Sequence, residues 1–288
     1  NASMLSKELG THLTGRYQEI QIFPFSFKEY VSLKDFKLDN NSIFTTTNKA
    51  KIKKYLDEYM INGGFPEYLM ELNPDYLKTL YENILYRDII VRYGLSNEKT
   101  LKEMVYLAVN SISKEISFNS VKRTLGLGSS TTVKEYFYYL ENSFLVFLIP
   151  KFDYSLRKQM YSNKKVYCID NGLAKYLGFR VTSDYGKLLE NMVFLALKRG
   201  GKDIYYYNDK HECDFVLRKF ANIDEAIQVC FEFTKDNRER EIEGLIEAMN
   251  KFKLKEGLIL TYDQEEEIKI NNKKIIVKPV WKWLLENK

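Results

Sequence analysis

Residues 212–232 read ECDFVLRKFANIDEAIQVCFE, two strand-like runs around a short polar loop. Side chains alternate across a strand. In the second run Ile227, Val229, Phe231 and Phe233 therefore share a core-facing side, and Gln228, Cys230 and Glu232 share the other. Asp214 opens the first run, where Phe215 and Leu217 are core candidates. An acid on one strand and a polar-x-polar pair on the next is the layout of a metal-dependent nuclease site. Such a site wants Glu and Lys in the second strand, and here Gln228 and Cys230 stand in those places.

Outward from this stretch, residues 181–288 read helix, three strands, helix, two strands, helix. YGKLLENMVFLALKRGG begins the series with a buried stripe of Leu189, Met192, Val193 and Ala196, and Glu190 sits beside it. Strands joined through helices predict a mixed sheet with helical cover. Residues 98–180 have helix-turn-helix-wing order: KTLKEMVYLAVNS, FNSVKRTLG and STTVKEYFYYLENS are helices, and FLVFLIPKF and NKKVYCID are strands around an open loop. Residues 38–97 are a linker and a helical unit broken at GGFP, with Pro74 in a helix first turn. Residues 1–37 hold a short helix, a strand in YQEIQIFPF and a helix over SFKEYVSL capped by Ser26, the tail of a sheet whose other strands lie upstream. The fold class is thus α/β multi-domain. The opening Asn1-Ala2 reads as a cloning remnant and stays outside the fold argument.

The bulk numbers narrow the function. In 288 residues, 45% are apolar, a globular value, and the net charge of +5 permits an anionic partner without demanding one. The longest apolar run, FLVFLI, is far short of the ~20 residues that span a bilayer, so no membrane partner is expected. Three cysteines without C-x-x-C spacing exclude a disulfide framework or zinc cluster and favour a reducing cytoplasm, and two histidines exclude a His-rich metal site. Nine Lys or Arg against four acids crowd into residues 111–168, a surplus equal to the whole chain's net charge. Such clustering suits phosphate, because neutralising phosphates releases counterions. Lys122, Arg123, Ser129, Ser130, Thr131 and Lys134 fall where a helix-turn-helix meets DNA. The strongest base readers, Arg, Asn and Gln, are missing from the start of the last helix, so weak sequence specificity is expected.

The order helix-with-Glu, strand, strand-with-Asp, strand with the pair, helix, strand resembles the PD-(D/E)XK nuclease-like fold, here a restriction-endonuclease-like α/β/α domain. The whole chain is similar to a broad bacterial and archaeal family of AAA-type P-loop ATPases with a helical lid, a winged helix and a nuclease-like C-terminal domain of unknown function. The stretches that carry this resemblance are LTGR, PFSFKEY, INGGFPEYL, YRDII, LENSFLVF, IDNGLAKYLG, LLENMVFLAL and CDFVL. It implies an ATPase-core remnant at 1–37, a lid at 38–97, a winged helix at 98–180 and a nuclease-like domain at 181–288. It also implies Arg16 as a γ-phosphate sensor, and ATP with Mg²⁺ in a full-length protein, neither required by this stretch. No G-x-x-x-x-G-K-[ST] loop is present in the chain, so the nucleotide cradle would precede residue 1.

The site residues are then Glu190, Asp214, Gln228 and Cys230, with Asp214 and Glu190 as weak metal ligands. Gln228 keeps an oxygen but loses a charge that Mg²⁺ prefers. A neutral Cys230 thiol cannot replace the lysine that polarises the attacking water. The expected site is degenerate and non-cleaving. Lys202, Lys210 or Lys235 would be the candidates for a migrated lysine in a live Mg²⁺ nuclease, with Glu232 restoring the lost charge. The third alternative is a protein-interaction scaffold that never meets DNA.

Overall fold

A computed structural model describes residues 20–34, 36, 45–178 and 184–286 of the chain. Arg16, Asn1 and the expected first helix lie outside them. Residues 20–26 run without regular structure, and the expected strand does not form there. A strand needs a partner for its backbone groups, and no described strand pairs with this stretch. Helix α1, Phe27–Leu33, follows. Ser26 caps it, Glu29 reaches back to the Ser26 N–H, and the two satisfy orphan donors reciprocally.

Helices α2 (Thr46–Asn62), α3 (Pro66–Glu71) and α4 (Pro74–Glu82) form the helical unit, and α4 runs on through a wide π-type stretch, Asn83–Val91. Pro66 and Pro74 stand at first helical positions, where a missing N–H costs nothing. The middle of the chain runs α5 (Glu98–Asn110), β1 (Glu115–Ile116), α6 (Phe118–Thr124), α7 (Ser130–Asn142), β2 (Val146–Pro150), α8 (Leu156–Tyr161), β3 (Lys164–Cys168) and α9 (Asn171–Tyr176). Its three strands are antiparallel in the order β1-β3-β2, with Ile149 opposite Lys165. The loop expected between the last two strands contains α8. Ser155 caps it by accepting from the Lys158 N–H, which lets a short helix close inside the hairpin.

Helix α10 (Tyr185–Arg199) opens the C-terminal part. It is followed by β4 (Asp203–Asn208), β5 (Glu212–Lys219), β6 (Asn222–Val229), α11 (Lys235–Lys251), β7 (Glu256–Thr261), β8 (Glu266–Ile270), β9 (Lys273–Pro279) and α12 (Val280–Glu286). The sheet order is β4-β5-β6-β7-β9-β8, with β7 parallel to both β6 and β9 and the other pairs antiparallel. The mixed α/β sheet with helical cover agrees with the sequence reading. Strand β8 was not foreseen. It pairs with β9 through a two-residue turn in which Asn271 and Asn272 both have positive φ, the geometry of a tight hairpin.

Burial explains the layering. Helix α10 buries Leu188, Leu189, Met192, Val193, Phe194, Leu195 and Leu197, more than one stripe, because elements pack on several of its sides. One face of the large sheet, with Phe215, Leu217, Ile227 and Val229, joins this core. The other face, with Val216, Ala226, Ile259 and Val277, is covered by Leu245, Ala248 and Met249 of α11. Both faces of β6 are therefore buried, and α11 lies over the side that carries Gln228 and Cys230.

Candidate functional site

The centre of the molecule holds a closed group of charges. Lys165 projects from β3, and its ammonium lies 2.8 Å from Asp214 Oδ1, 3.2 Å from Glu190 Oε1 and 2.5 Å from Glu212 Oε1. Its side chain is 1% exposed. Tyr167, two residues on and so on the same side of β3, donates its hydroxyl to Glu190 Oε1 at 2.7 Å. Its ring stacks on Phe194 of α10 at 4.2 Å. Asp214 is also held by the Val229 N–H, which donates to Oδ2 at 2.8 Å. Three elements thus converge as the sequence predicted for Glu190 and Asp214, and the third brings a lysine from a different part of the chain.

The electrostatics follow from burial. Burial, then the Asp214 charge, raises the Glu190 carboxyl to about 8 despite the nearby ammonium. Burial opposes charge on Lys165, but Asp214, Glu190 and Glu212 together hold it well above the ordinary lysine range. Burial also raises Glu212, against the pull of Lys165. The arrangement is a buried ammonium among carboxyl neighbours whose charge burial disfavours.

Gln228 has a defined structural use. Its Oε1 accepts from the Asp214 N–H at 3.1 Å, and its Nε2 donates to Glu241 Oε2 at 2.6 Å. A carboxylate here could not donate to Glu241, so the amide is what this bridge between β5, β6 and α11 requires. Glu241 is also paired with Arg240 at 2.5 Å. Cys230 lies just beyond β6, buried against the α11 layer, and burial lifts its thiol to about 12. It behaves as a small apolar residue. Glu232 is exposed beyond the strand end and adds no charge to the group.

The lysines proposed as replacements lie elsewhere. Lys202 pairs with Glu225 at 2.7 Å, Lys210 sits in the β4–β5 turn and Lys235 opens α11. The ammonium at the carboxylates is Lys165; it stands where a live site would want a migrated lysine, but it is 1% exposed and ion-paired to three carboxylates. It takes the space between Asp214 and Glu190, and Gln228 is turned to Glu241, so this set does not fit a magnesium ion that wants six hard oxygens. Among the described residues no group of three or more His, Cys, Asp or Glu is arranged to hold a metal ion.

A second buried polar group joins two of the quoted motifs, INGGFPEYL and IDNGLAKYLG. Asp170 caps α9 by accepting from the Leu173 N–H at 2.9 Å, and its other oxygen accepts from the Gly64 N–H at 2.6 Å. Gly63 has φ +74°, and a Cβ there would stand 2.1 Å from Asp170 Oδ1. A Cβ on Gly172 would stand 2.1 Å from the Asn62 carbonyl. Asn171 donates to the carbonyls of Met60 and Leu188, and Asn191 brackets the Cys168 backbone at 2.8 and 3.0 Å. The helical unit, the middle segment and α10 are pinned together here. Burial raises the Asp170 carboxyl to about 6, against the lowering effect of the Gly64, Leu173 and Gly172 N–H groups.

The expected nucleic-acid face is on the surface. Lys122 and Arg123 close α6, Ser129 caps α7 by accepting from the Thr131 N–H at 3.0 Å, and Ser130 and Thr131 form the first turn. Lys134, one turn on, holds its ammonium 5.8 Å from the centre of the Phe118 ring. Arg123, Ser129, Thr131 and Lys134 are exposed, and Lys122 and Ser130 are half-buried. Two of the nine basic residues turn inward: Lys165 to the carboxylates, and Lys164 to the carbonyls of Gln159 and Ser162 at 2.5 and 2.9 Å. The surface surplus is smaller than the sequence suggested. No helix among the described residues is long and apolar enough to cross a membrane.

Residues 53–184 match a family model described as a domain of unknown function, DUF8612, and residues 185–283 match another, DUF4143. The chain is similar to the uncharacterized protein MJ1544 of Methanocaldococcus jannaschii, at 33% identity over 99% of the chain and 67% of the relative. It is also similar to an uncharacterized protein of Haemophilus influenzae, at 30% identity over 99% of the chain and 69% of the relative.

Proposed function

The chain belongs to the family of these archaeal and bacterial proteins, and we propose that it is the nucleic-acid-gripping C-terminal part of an AAA-type ATPase whose nuclease-like sheet has stopped cutting. The observation that carries this reading is Lys165. A buried ammonium is already ion-paired with Asp214 and Glu190, the carboxylates that a nuclease would offer to a metal ion. The charge is spent on holding the three-stranded sheet against α10 and β5. Binding then falls to the exposed face of α6 and α7.

The topology supports each part. The order α5, β1, α6, α7, β2, β3 with sheet order β1-β3-β2 supports the winged-helix reading. The order α10, three antiparallel strands, α11 and parallel β7 supports the nuclease-like reading of the C-terminal part. In this reading ATP and its Mg²⁺ belong to the part of the relatives that the chain does not cover. A protein-interaction scaffold is the second reading, favoured by one feature: a hollow of about 1010 Å³ between the helices, lined by Tyr81, Val105, Tyr106, Leu125 and Leu177.

The test is a titration of the chain with labelled DNA at increasing salt. Phosphate contacts predict affinity that falls steeply with salt. Lys122→Glu with Lys134→Glu is expected to abolish binding. Absence of binding at low salt would sink the nucleic-acid reading and leave the scaffold.

A further inference from the structure

The connection between β2 and β3 carries a cluster of exposed apolar side chains, although Phe152 at its start is buried. Its polar groups brace it from within. Gln159 Nε2 donates to the Asp153 carbonyl at 2.5 Å, the Ser155 N–H donates to Asp153 Oδ1 at 2.8 Å, and Ser162 Oγ donates to the Lys158 carbonyl at 2.7 Å. Lys164 ties down the end of α8 through the carbonyls already described. Four large apolar side chains of the connection face water: Tyr154 is 70% exposed, Leu156 72%, Met160 71% and Tyr161 77%. No residue of α8 is buried. Single exposed apolar side chains are ordinary, but a cluster of this kind on a braced support indicates a contact surface.

The surroundings say what the surface meets. A groove of about 250 Å³ runs between α6, α7 and α8, lined by Phe118, Asn119, Ser130, Lys134, Met160 and Tyr161, with no acidic residue in its lining. Arg157 is exposed on the same short helix. Lys134 and the rings of Phe118 and Tyr161 therefore share one groove, whose charge suits a phosphate chain, and Arg157 lies outside its lining. A duplex hides the faces of its bases inside the stack, so exposed rings have nothing to stack on there. Unpaired bases offer those faces, and sequence-tolerant stacking on aromatic side chains is how single strands are held. The hydroxyl-rich start of α7 lacks duplex readers, which agrees.

We propose that the groove between α7 and α8 takes a single-stranded nucleic acid, with phosphates on Lys134 and Arg157 and bases on Tyr161, Met160 and Tyr154. Tyr154 is held for this by an edge-on contact with buried Phe152 at 5.3 Å. The inference rests on the nucleic-acid reading above and adds the class of strand.

Anisotropy titrations of the whole chain with labelled oligothymidine, an abasic oligomer of equal length and a duplex test it. Oligothymidine is expected to bind more tightly than either of the others. Met160→Ser with Tyr161→Ser is expected to weaken oligothymidine about tenfold or more and to leave the abasic oligomer unchanged. Both side chains are exposed, so the variant keeps the wild-type thermal transition. Equal affinity for the three probes, or no effect of the double variant, overturns the single-strand inference while the nucleic-acid reading stands. No binding to any probe at low salt overturns both. Binding to anionic phospholipid vesicles that the double variant loses, with oligothymidine affinity unchanged, assigns the surface to a membrane and overturns it too.

Discussion

Replacing Lys165 with Met keeps the length of the side chain and removes its charge. Asp214 and Glu190 would then sit buried beside each other without the ammonium, at side-chain exposures of 8 and 10%. Removing one partner of a buried ion pair costs about 3–5 kcal/mol, because the remaining charge is left without compensation. For a chain of this size that corresponds to a fall of roughly 6–20 °C in the thermal midpoint. The loss shrinks as pH falls, since a carboxyl that takes up a proton no longer needs a counter-ion; burial raises Glu190, so it takes up its proton first. Urea denaturation followed by the fluorescence of Trp281 and Trp283 measures the cost. Lys165→Met with Asp214→Asn is expected to recover about 2 kcal/mol or more, as for groups in direct contact. A Lys165→Met chain within about 1 kcal/mol of wild type, or a double variant worse than the sum of the single ones, would refute the reasoning.

Three further outcomes are expected. Folded Asp170 keeps its proton up to about 6, whereas the unfolded side chain gives it up near 3.8. The folded state therefore binds more protons in between, so this group stabilises most below pH ~4 and its contribution, roughly 3 kcal/mol, is lost as pH rises through about 6. Wild type should lose about that amount of stability relative to Asp170→Asn as pH rises from ~4 to above about 6, read from urea denaturation curves, and parallel pH profiles would contradict it. Gly172→Ala places a methyl 2.1 Å from the Asn62 carbonyl and is expected to cost about 3 kcal/mol or more, read as a lowered urea midpoint. Cys168, Cys213 and Cys230 are all buried, with their thiols raised by burial, so an alkylating reagent should label none of them until denaturant is added, as counted by mass spectrometry.

The legible part of the sequence was the local part. Ser26 announced the start of α1, Pro74 that of α4, and the alternating runs announced β5 and β6. These signals act over a few residues, where capping and alternation decide the backbone. The helix acid Glu190 and the strand acid Asp214 were also placed together correctly, since the order of elements fixes them relative to one sheet. Lys165 was missed because it reaches Asp214 across 49 positions of chain. A trace of it was present: adjacent Lys164 and Lys165 in a strand cannot both face water, and Lys165 shares its side with Tyr167. Gln228 was read as a damaged ligand because nothing local revealed Glu241 above it. Gly63, Gly172 and Asp170 looked like marks of a family, whereas their use is close packing between distant segments. Strand β8 was hidden by its acidic residues, although Asn271-Asn272 was a turn signal.

The most direct test of the central claim is cation binding and strand cleavage measured together. Manganese is titrated into the chain by its effect on water proton relaxation, and single- and double-stranded DNA are then incubated with the same samples. A lysine-neutralised site predicts no manganese bound through Asp214 and DNA that stays intact. Manganese binding and cleavage that are both lost in Asp214→Ala would contradict it.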